Sequence, residues 1–304
     1  MAQLVTAQSE VAGPNLLRRV GGNSANFLRL MFHNKAGFVG FVVLVLIVLV
    51  AFLGPLFVPE DRTAHVNQIY QQPSAAHLLG TDYAGRDVLA QIIRGGQSIL
   101  VVGLMAAGLT TAISVIFGAL SAYVGGWIDG VITGLADIVL TIPQLPLLAV
   151  LAAFISFKSA WQLAVIIAAL AWPTLLRAIR AQVLSLRERE YVEAAQALDL
   201  GTMHILLREI LPNMLSYIAI NFAIGMTGAI YAQIGLYFLG LAPLAGDNWG
   251  IMINIAYTRG AMFFQNSFWY IMAPVLAISI LQLSIITMTR SLEDIFNPRL
   301  RQGG

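Results

Sequence analysis

Between Gly37 and Val58 the chain carries no charged residue, and this run constrains the fold more than any other feature. About 20 apolar residues in a helix cross the hydrocarbon of a bilayer, where unpaired backbone amides find no water. The run is longer than the roughly 7–15 apolar residues of a cleavable signal, so it reads as a retained first span. Five further stretches pass the same test: about Ser98 to Val124, about Gly130 to Phe154 with Asp137 as its one interruption, about Ser159 to Leu176, a span within Leu215 to Leu239, and about Ser267 to Thr289. Composition agrees, since 58% of the residues are hydrophobic and only 11% charged, against about a quarter charged in a soluble domain. The expected fold class is an all-α integral membrane protein with six transmembrane helices. The chain has no cysteine, which excludes disulfides and thiolate metal sites.

Orientation follows from the basic residues. With the N-terminus inside, the inner segments hold Arg18, Arg19, Arg29, Lys35, Arg177, Arg180, Arg187, Arg189, Arg208, Arg290, Arg299 and Arg301, which is 12 of the 17 basic residues. Arg62, Arg86, Arg94, Lys158 and Arg259 fall outside. An excess of Lys and Arg marks cytoplasmic loops, so both termini are expected in the cytoplasm. Trp127, Trp161, Trp249 and Trp269 fall near span ends, as an interfacial belt requires. The net charge of +2 and the absence of a basic stripe interleaved with aromatics exclude a nucleic-acid partner. Gly130 with Gly134, Gly118 with Ala122, and Gly225 with Ala229 stand four residues apart, as close packing between membrane helices requires.

The segment from Arg177 to Pro212 is polar and sits between the fourth and fifth spans. Residues 187–198 are rich in helix formers, with Tyr191, Ala194, Ala195 and Leu198 at three- and four-residue spacing. Gly201 is expected to supply a positive-φ stop, Thr202 to cap a second short helix, and Pro212 to end it or open the next element. Glu193 stands four residues after Arg189, close enough to pair with it. Two short helices joined by a turn on the cytosolic side would make a docking element.

At these residues the chain resembles the permeases of ATP-binding-cassette (ABC) importers. Their Glu-Ala-Ala loop is matched by Glu193, Ala194, Ala195, Leu211 and Pro212, while Asp199 occupies the usual glycine position and Gly201 follows two residues later. The resemblance implies a coupling helix that enters a cleft on an ATPase subunit, with Tyr191, Leu198, Asp199 and Gly201 belonging to the same loop. A second match, His77-Leu78-Leu79-Gly80-Thr81-Asp82-Tyr83-Ala84-Gly85-Arg86-Asp87, resembles the dipeptide/oligopeptide/nickel subgroup. From the residues alone, Thr81 or Asp82 is expected to cap a short helix and Arg86 to pair with Asp82 in a rigid outer element. Asp137 with Pro143, Phe238-Leu239-Gly240, Trp249-Gly250 and Asn297-Pro298-Arg299 extend the likeness over nearly the whole chain from Gly37. It is similar to the second, C-type permease of such systems. Gln233 stands where the subgroup often has Glu, and Met288-Thr289-Arg290-Ser291 where a Gly-Asp-Gly-like sequence is common.

The resemblance implies a type I importer permease in a bacterial or archaeal inner membrane. Its division would be a cytoplasmic segment 1–36, a first helix 37–58, an external segment 59–97, a five-helix core 98–290 with a coupling loop at about 186–212, and a cytoplasmic tail 291–304. Its partners would be a second homologous permease, two ABC ATPases, an extracytoplasmic binding protein and membrane lipid. The chain itself has no Gly-x-x-x-x-Gly-Lys-Ser/Thr sequence, and its lysines are Lys35 and Lys158 alone. ATP and Mg would therefore sit on the ATPase partners, and this chain would bind no cofactor or metal. His33, His65, His77 and His204 are scattered over different loops. Asn221, Gln233 and Gln282 are candidates for a translocation path, because an amide facing lipid is costly. Hydrogen bonding between helices is the alternative for all three. A stand-alone secondary transporter or channel is a competing class, but Asp137 is the one ionisable residue within the expected spans, placed near a cytoplasmic end. A structural or assembly membrane protein is another. The resemblance to this subgroup implies peptides, of the dipeptide or oligopeptide type, as the substrate, with oligosaccharide or nickel as the alternative.

Overall fold

The computed structural model describes residues 34–155, 159–242 and 246–296. The motif at 297–299, most of the two expected cytoplasmic termini, and Arg18, Arg19, Arg29, His33, Lys158, Arg299 and Arg301 lie outside the described residues.

Among the described residues, nine α-helices of eight or more residues follow in order: α1 Lys35–Phe57, α2 Val88–Val124, α3 Gly126–Thr141, α4 Gln144–Phe154, α5 Ala160–Arg187, α6 Glu190–Ala197, α7 Leu215–Phe238, α8 Trp249–Thr258 and α9 Phe268–Phe296. Five helical segments are long and apolar enough to cross a membrane, and α3 with α4 makes a sixth if the broken pair is one span. The expected third span is thus not one straight helix. It is bent by 86° between α3 and α4, because Pro143 pushes Ile142 out of helical geometry (φ −101°, ψ 127°). The starts follow local chemistry: the side chains of Asn34, Asp87, Ser159 and Asn248 each accept a backbone N–H of the first turn.

The long α2 is the central post. It packs along α5 and α7 and is flanked by α1, while α1 lies mainly on α9. Three apolar clusters hold the bundle. The first joins Ile99, Leu100, Ile230, Trp249, Tyr270 and Leu281. The second joins Val102, Ala106, Leu148, Leu163, Ile167 and Leu236. The third joins Ala119, Ile179, Val183, Val192, Ile205 and Ile210, and so fastens α6 to the ends of α2 and α5. Outside these clusters α1 presents Leu46, Leu49, Val50 and Leu53 outward, the reverse of a water-soluble surface and the arrangement lipid demands.

Trp127, Trp161 and Trp269 are exposed near helix starts, but Trp249 is only 3% exposed. Its indole N–H donates to the Ile92 carbonyl at 2.8 Å, so Trp249 is a core residue and not part of an interfacial belt. The small-residue pairs divide as well. Gly118 packs against Ile179, whereas an added Cβ at Gly130, Gly134 or Gly225 would meet nothing within 4 Å.

Candidate functional site

The polar loop after α5 packs back on the third apolar cluster. The helix α5 runs on to Arg187, well past Leu176, so Arg177 and Arg180 belong to the helix and not to the loop. Arg187 donates to the carbonyls of Ala122 (3.3 Å) and Tyr123 (3.4 Å), satisfying the end of α2. After this anchor α6 turns aside. Val192 is fully buried and Ala195 only 6% exposed, so these two residues, three apart, fix the inner face. Tyr191, Glu193, Ala194 and Leu198 are exposed, Leu198 to 73%. Tyr191, Ala194 and Leu198 therefore form an apolar outer face, and Ala195 belongs to the inner one. Glu193 makes no ion pair among the described residues; Arg189 meets it only through backbone, its carbonyl accepting the Glu193 N–H at 3.0 Å.

The stop after α6 differs from the expected one. Asp199, not Gly201, takes the left-handed conformation, with φ +53°. The Asp199 N–H donates to the Gln196 carbonyl at 2.9 Å and the Leu200 N–H to the Ala195 carbonyl at 3.2 Å. That pair of bonds is a Schellman motif, with Leu200 returning to the apolar cluster. Gly201 has φ −57° and ψ 155°, a conformation any residue adopts. Thr202 makes no side-chain cap. The second short helix is also not separate. Thr202–His204 leads through a wide π turn, Ile205–Ile210, and a tight 3-10 turn, Leu211–Met214, straight into α7. Pro212 lacks an N–H and crowds the preceding turn, which is the physical cause of the change in pitch. Leu211 packs on the third cluster, while Pro212 is exposed. Met203 and Leu207 are 63% and 56% exposed, so an apolar surface continues beyond α6 into this lead-in.

At the other end of the bundle, residues 59–87 fold over the start of α2. The fully buried Asp82 carboxylate accepts the backbone N–H groups of Ala84 (2.8 Å) and Arg86 (2.9 Å), the Arg86 Nε–H (2.9 Å) and the Gln91 amide (3.0 Å). The expected Asp82–Arg86 pair is present, but neither Asp82 nor Thr81 caps a helix. Asp87 caps α2 and also holds His77 Nδ1 at 2.8 Å. Gly85 has φ +80°, and a Cβ there would lie 2.1 Å from the His65 carbonyl oxygen, so only glycine closes this turn. Arg86 and Arg259 each lie over the Tyr83 ring, at 5.4 and 5.2 Å from its centre. A cavity of about 260 Å³ opens on this face, lined by Glu60, Arg62, Tyr83, Arg86 and Asp247. Burial pushes the Asp247 carboxyl up, opposed by Arg94, whose Nε–H reaches it at 3.0 Å.

The three amides do not converge. Asn221 is half-buried and donates to the Tyr217 carbonyl of its own helix at 2.8 Å. Gln282 reaches across from α9 to the Thr227 carbonyl of α7 at 3.4 Å. Gln233 is completely buried, and neither of its amide atoms has a partner in the chain. Sequence reasoning missed two ion pairs between α3 and α5. Arg180 grips Asp129 through two bonds (2.7 and 2.6 Å), and Arg177 pairs with Asp137. The missed signal was the spacing of Arg177 and Arg180 on a helix that was ended too early.

Comparison with known proteins matches this architecture. The family described as binding-protein-dependent transport system inner membrane component matches residues 114–302. A second family, the N-terminal TM domain of oligopeptide transport permease C, matches residues 24–78. A putative peptide permease protein of Brucella suis is 34% identical over 280 residues, covering 91% of this chain and 92% of that protein. The oligopeptide transport system permease protein OppC of Bacillus subtilis is 31% identical over 278 residues, covering 88% and 87%. Its counterpart of the same name in Mycobacterium tuberculosis is 32% identical over 220 residues, covering 70% and 74%. With its five to six candidate crossings and two family matches, this chain belongs to the binding-protein-dependent inner-membrane transport components, the multi-pass permease subunits of ABC importers.

Proposed function

We propose that this chain forms half of the translocation path of an ABC importer that takes up peptides. A second homologous permease forms the other half, two ATPases bind ATP and Mg and drive it, and a binding protein delivers substrate to the outer face. Both termini lie in the cytoplasm, which puts the segment 187–214 on the ATPase side and residues 59–87 outside. The names carried by the relatives from Brucella suis and Bacillus subtilis favour peptide over oligosaccharide or nickel.

The observation that carries the proposal is the two-sidedness of α6. Its inner face, Val192 and Ala195, is fixed in the third cluster, and its outer face, Tyr191, Ala194 and Leu198, is apolar and uncovered. A helix so seated transmits a push at Leu198 to the ends of α2 and α5 instead of absorbing it, because packed cores deform little. The Asp199 turn, Gly201 and the Leu211-Pro212 lead-in pass the same displacement to α7. Glu193, exposed on the first turn, is free to meet a cation on the ATPase. Among the amides, Asn221 keeps access to a path, while Gln233 and Gln282 lie inside the bundle in this state.

The test is insertion of two residues beside Glu193 in the complete transporter. Binding-protein-stimulated ATP hydrolysis and peptide uptake should both fall to the unstimulated level while the complex still assembles. Unchanged coupling removes the lever from the account. Flux through this chain alone in liposomes, without ATP or partners, would instead support a stand-alone carrier.

A further inference from the structure

Asp137 stands on α3 eleven residues beyond Gly126, which at about 1.5 Å per residue is about 16 Å from the end of that helix. Arg177 stands ten residues before the end of α5 at Arg187, at a matching height. The sequence reading placed Asp137 near the start of its span and Arg177 beyond the end of its own; the pair is instead well inside the bundle's length. Both side chains are more than half exposed, Arg177 to 54% and Asp137 to 58%. A charged pair between two membrane-crossing helices is set against protein or water in preference to acyl chains.

Two features of this chain fit water. First, α3 carries two distinct outward stripes. Val131, Leu135 and Ile138 form an apolar one, suited to lipid. Gly130, Asp137 and Thr141 are exposed on the other, with the half-buried Thr133 between them, and all four are small or polar. A Cβ added at Gly130 or at the adjacent Gly134 would meet no atom of this chain within 4 Å, so this chain leaves the stripe uncovered. Second, the stripe ends at the break, where Thr141, Ile142, Pro143 and Gln144 are all exposed. Non-helical backbone at membrane depth persists only when buried in protein or lining water, and here it is not buried by this chain. The neighbouring pair Asp129–Arg180 differs: it is bidentate, joined by Ser121 and less exposed, and serves as a clamp between α3 and α5.

We infer that Asp137 and Arg177, with Thr141 and the break above them, line the aqueous path and select solutes by charge, Asp137 meeting cationic groups and Arg177 anionic ones. A peptide carries both, an ammonium and a carboxylate terminus, so a paired lining accepts either end by exchanging its own partner for the solute's. This rests on the importer reading above.

The experiment uses the complete transporter in liposomes. Uptake is compared for three tripeptides of net charge −1, 0 and +1 in the native protein, Asp137→Asn, Arg177→Gln and the exchanged double variant Asp137→Arg/Arg177→Asp. Asp137→Asn should lower the cation-to-anion uptake ratio on the order of tenfold, and Arg177→Gln should raise it comparably. A purely structural pair would instead impair all three peptides alike in both single variants and recover them alike in the exchanged double, and that result overturns the inference. A second readout needs no substrate. Because the chain has no cysteine, Thr141→Cys and Leu135→Cys can be labelled with a membrane-impermeant thiol reagent. Thr141→Cys should label and Leu135→Cys should not; equal or inverted labelling overturns the lining. If the native complex imports none of the tripeptides, the peptide reading fails, while the labelling still decides whether this face is wet.

Discussion

The turn that ends α6 offers a sharp test, because two neighbouring residues have opposite expected responses. Asp199 holds φ +53°, a conformation costing an ordinary L-residue about 1–2 kcal/mol, less for Asp, whose short polar side chain tolerates it. Asp199→Gly should relieve that cost and gain about 0.5 kcal/mol after the greater freedom of glycine in the unfolded chain is subtracted. Asp199→Val, branched at Cβ in the same conformation, should lose about 1–2 kcal/mol. Gly201, with φ −57° and nothing within 4 Å of an added Cβ, should accept alanine and gain about 0.4–1 kcal/mol. The assay is amide hydrogen exchange of the segment 190–204 in the purified complex, where 1 kcal/mol changes protection about fivefold. Faster exchange is expected for Asp199→Val, with a parallel loss of stimulated ATP hydrolysis, and slower exchange for Gly201→Ala. If Gly201→Ala loosens the segment while Asp199→Val leaves it unchanged, the assignment of the left-handed position to Asp199 is wrong, and with it the Schellman closure.

Three further outcomes are expected. Val192→Ala, on the fully buried face of α6, should cost roughly 1.5–3 kcal/mol of local stability, whereas Leu198→Ala on the exposed face should cost under about 0.5 kcal/mol yet weaken ATPase coupling; hydrogen exchange and stimulated hydrolysis separate the two. Asp82→Ala leaves Arg86, Gln91 and two backbone N–H groups without their shared acceptor and should cost about 3–5 kcal/mol, read as faster trypsin cleavage after Arg86 in membranes with this face exposed. Hydrogen bonds from the Thr63 hydroxyl and N–H, aided by His65, hold the Asp61 carboxyl down to about 2. A folded value below the ordinary 3.8 means its stabilising contribution is complete above that pH and is lost only as pH falls toward 2. Acidification to pH 5 should therefore leave the cleavage pattern of residues 59–65 unchanged.

The spans were legible because lipid imposes a strong one-dimensional rule. A helix that must cross hydrocarbon needs a long uncharged run, and the runs from Gly37, Ser98, Leu215 and Ser267 all became helices with ends close to or beyond those expected. The types and spacing of Glu193, Ala194, Ala195, Leu211 and Pro212 marked out this segment, and its first part is the expected helix, α6. What failed was local geometry that propensity describes poorly. Glycine is the easier left-handed residue, yet Asp199 occupies that position because Leu200 must return to the apolar cluster one residue later. Charge was read as a mark of loops, so Arg177 was placed outside a helix that in fact continues through it.

The linear order of residues, by itself, determined which stretches are long and apolar enough to cross a bilayer and which segment between them is polar. Each of these depends on local composition against a solvent of known thickness. Tertiary structure alone decided that Val192 faces inward while Leu198 faces out, that Trp249 is core, and that Asp137 finds Arg177 forty residues away. Those outcomes depend on which helices become neighbours, and a side chain's partner across a bundle is set by packing in three dimensions, which no single helix encodes.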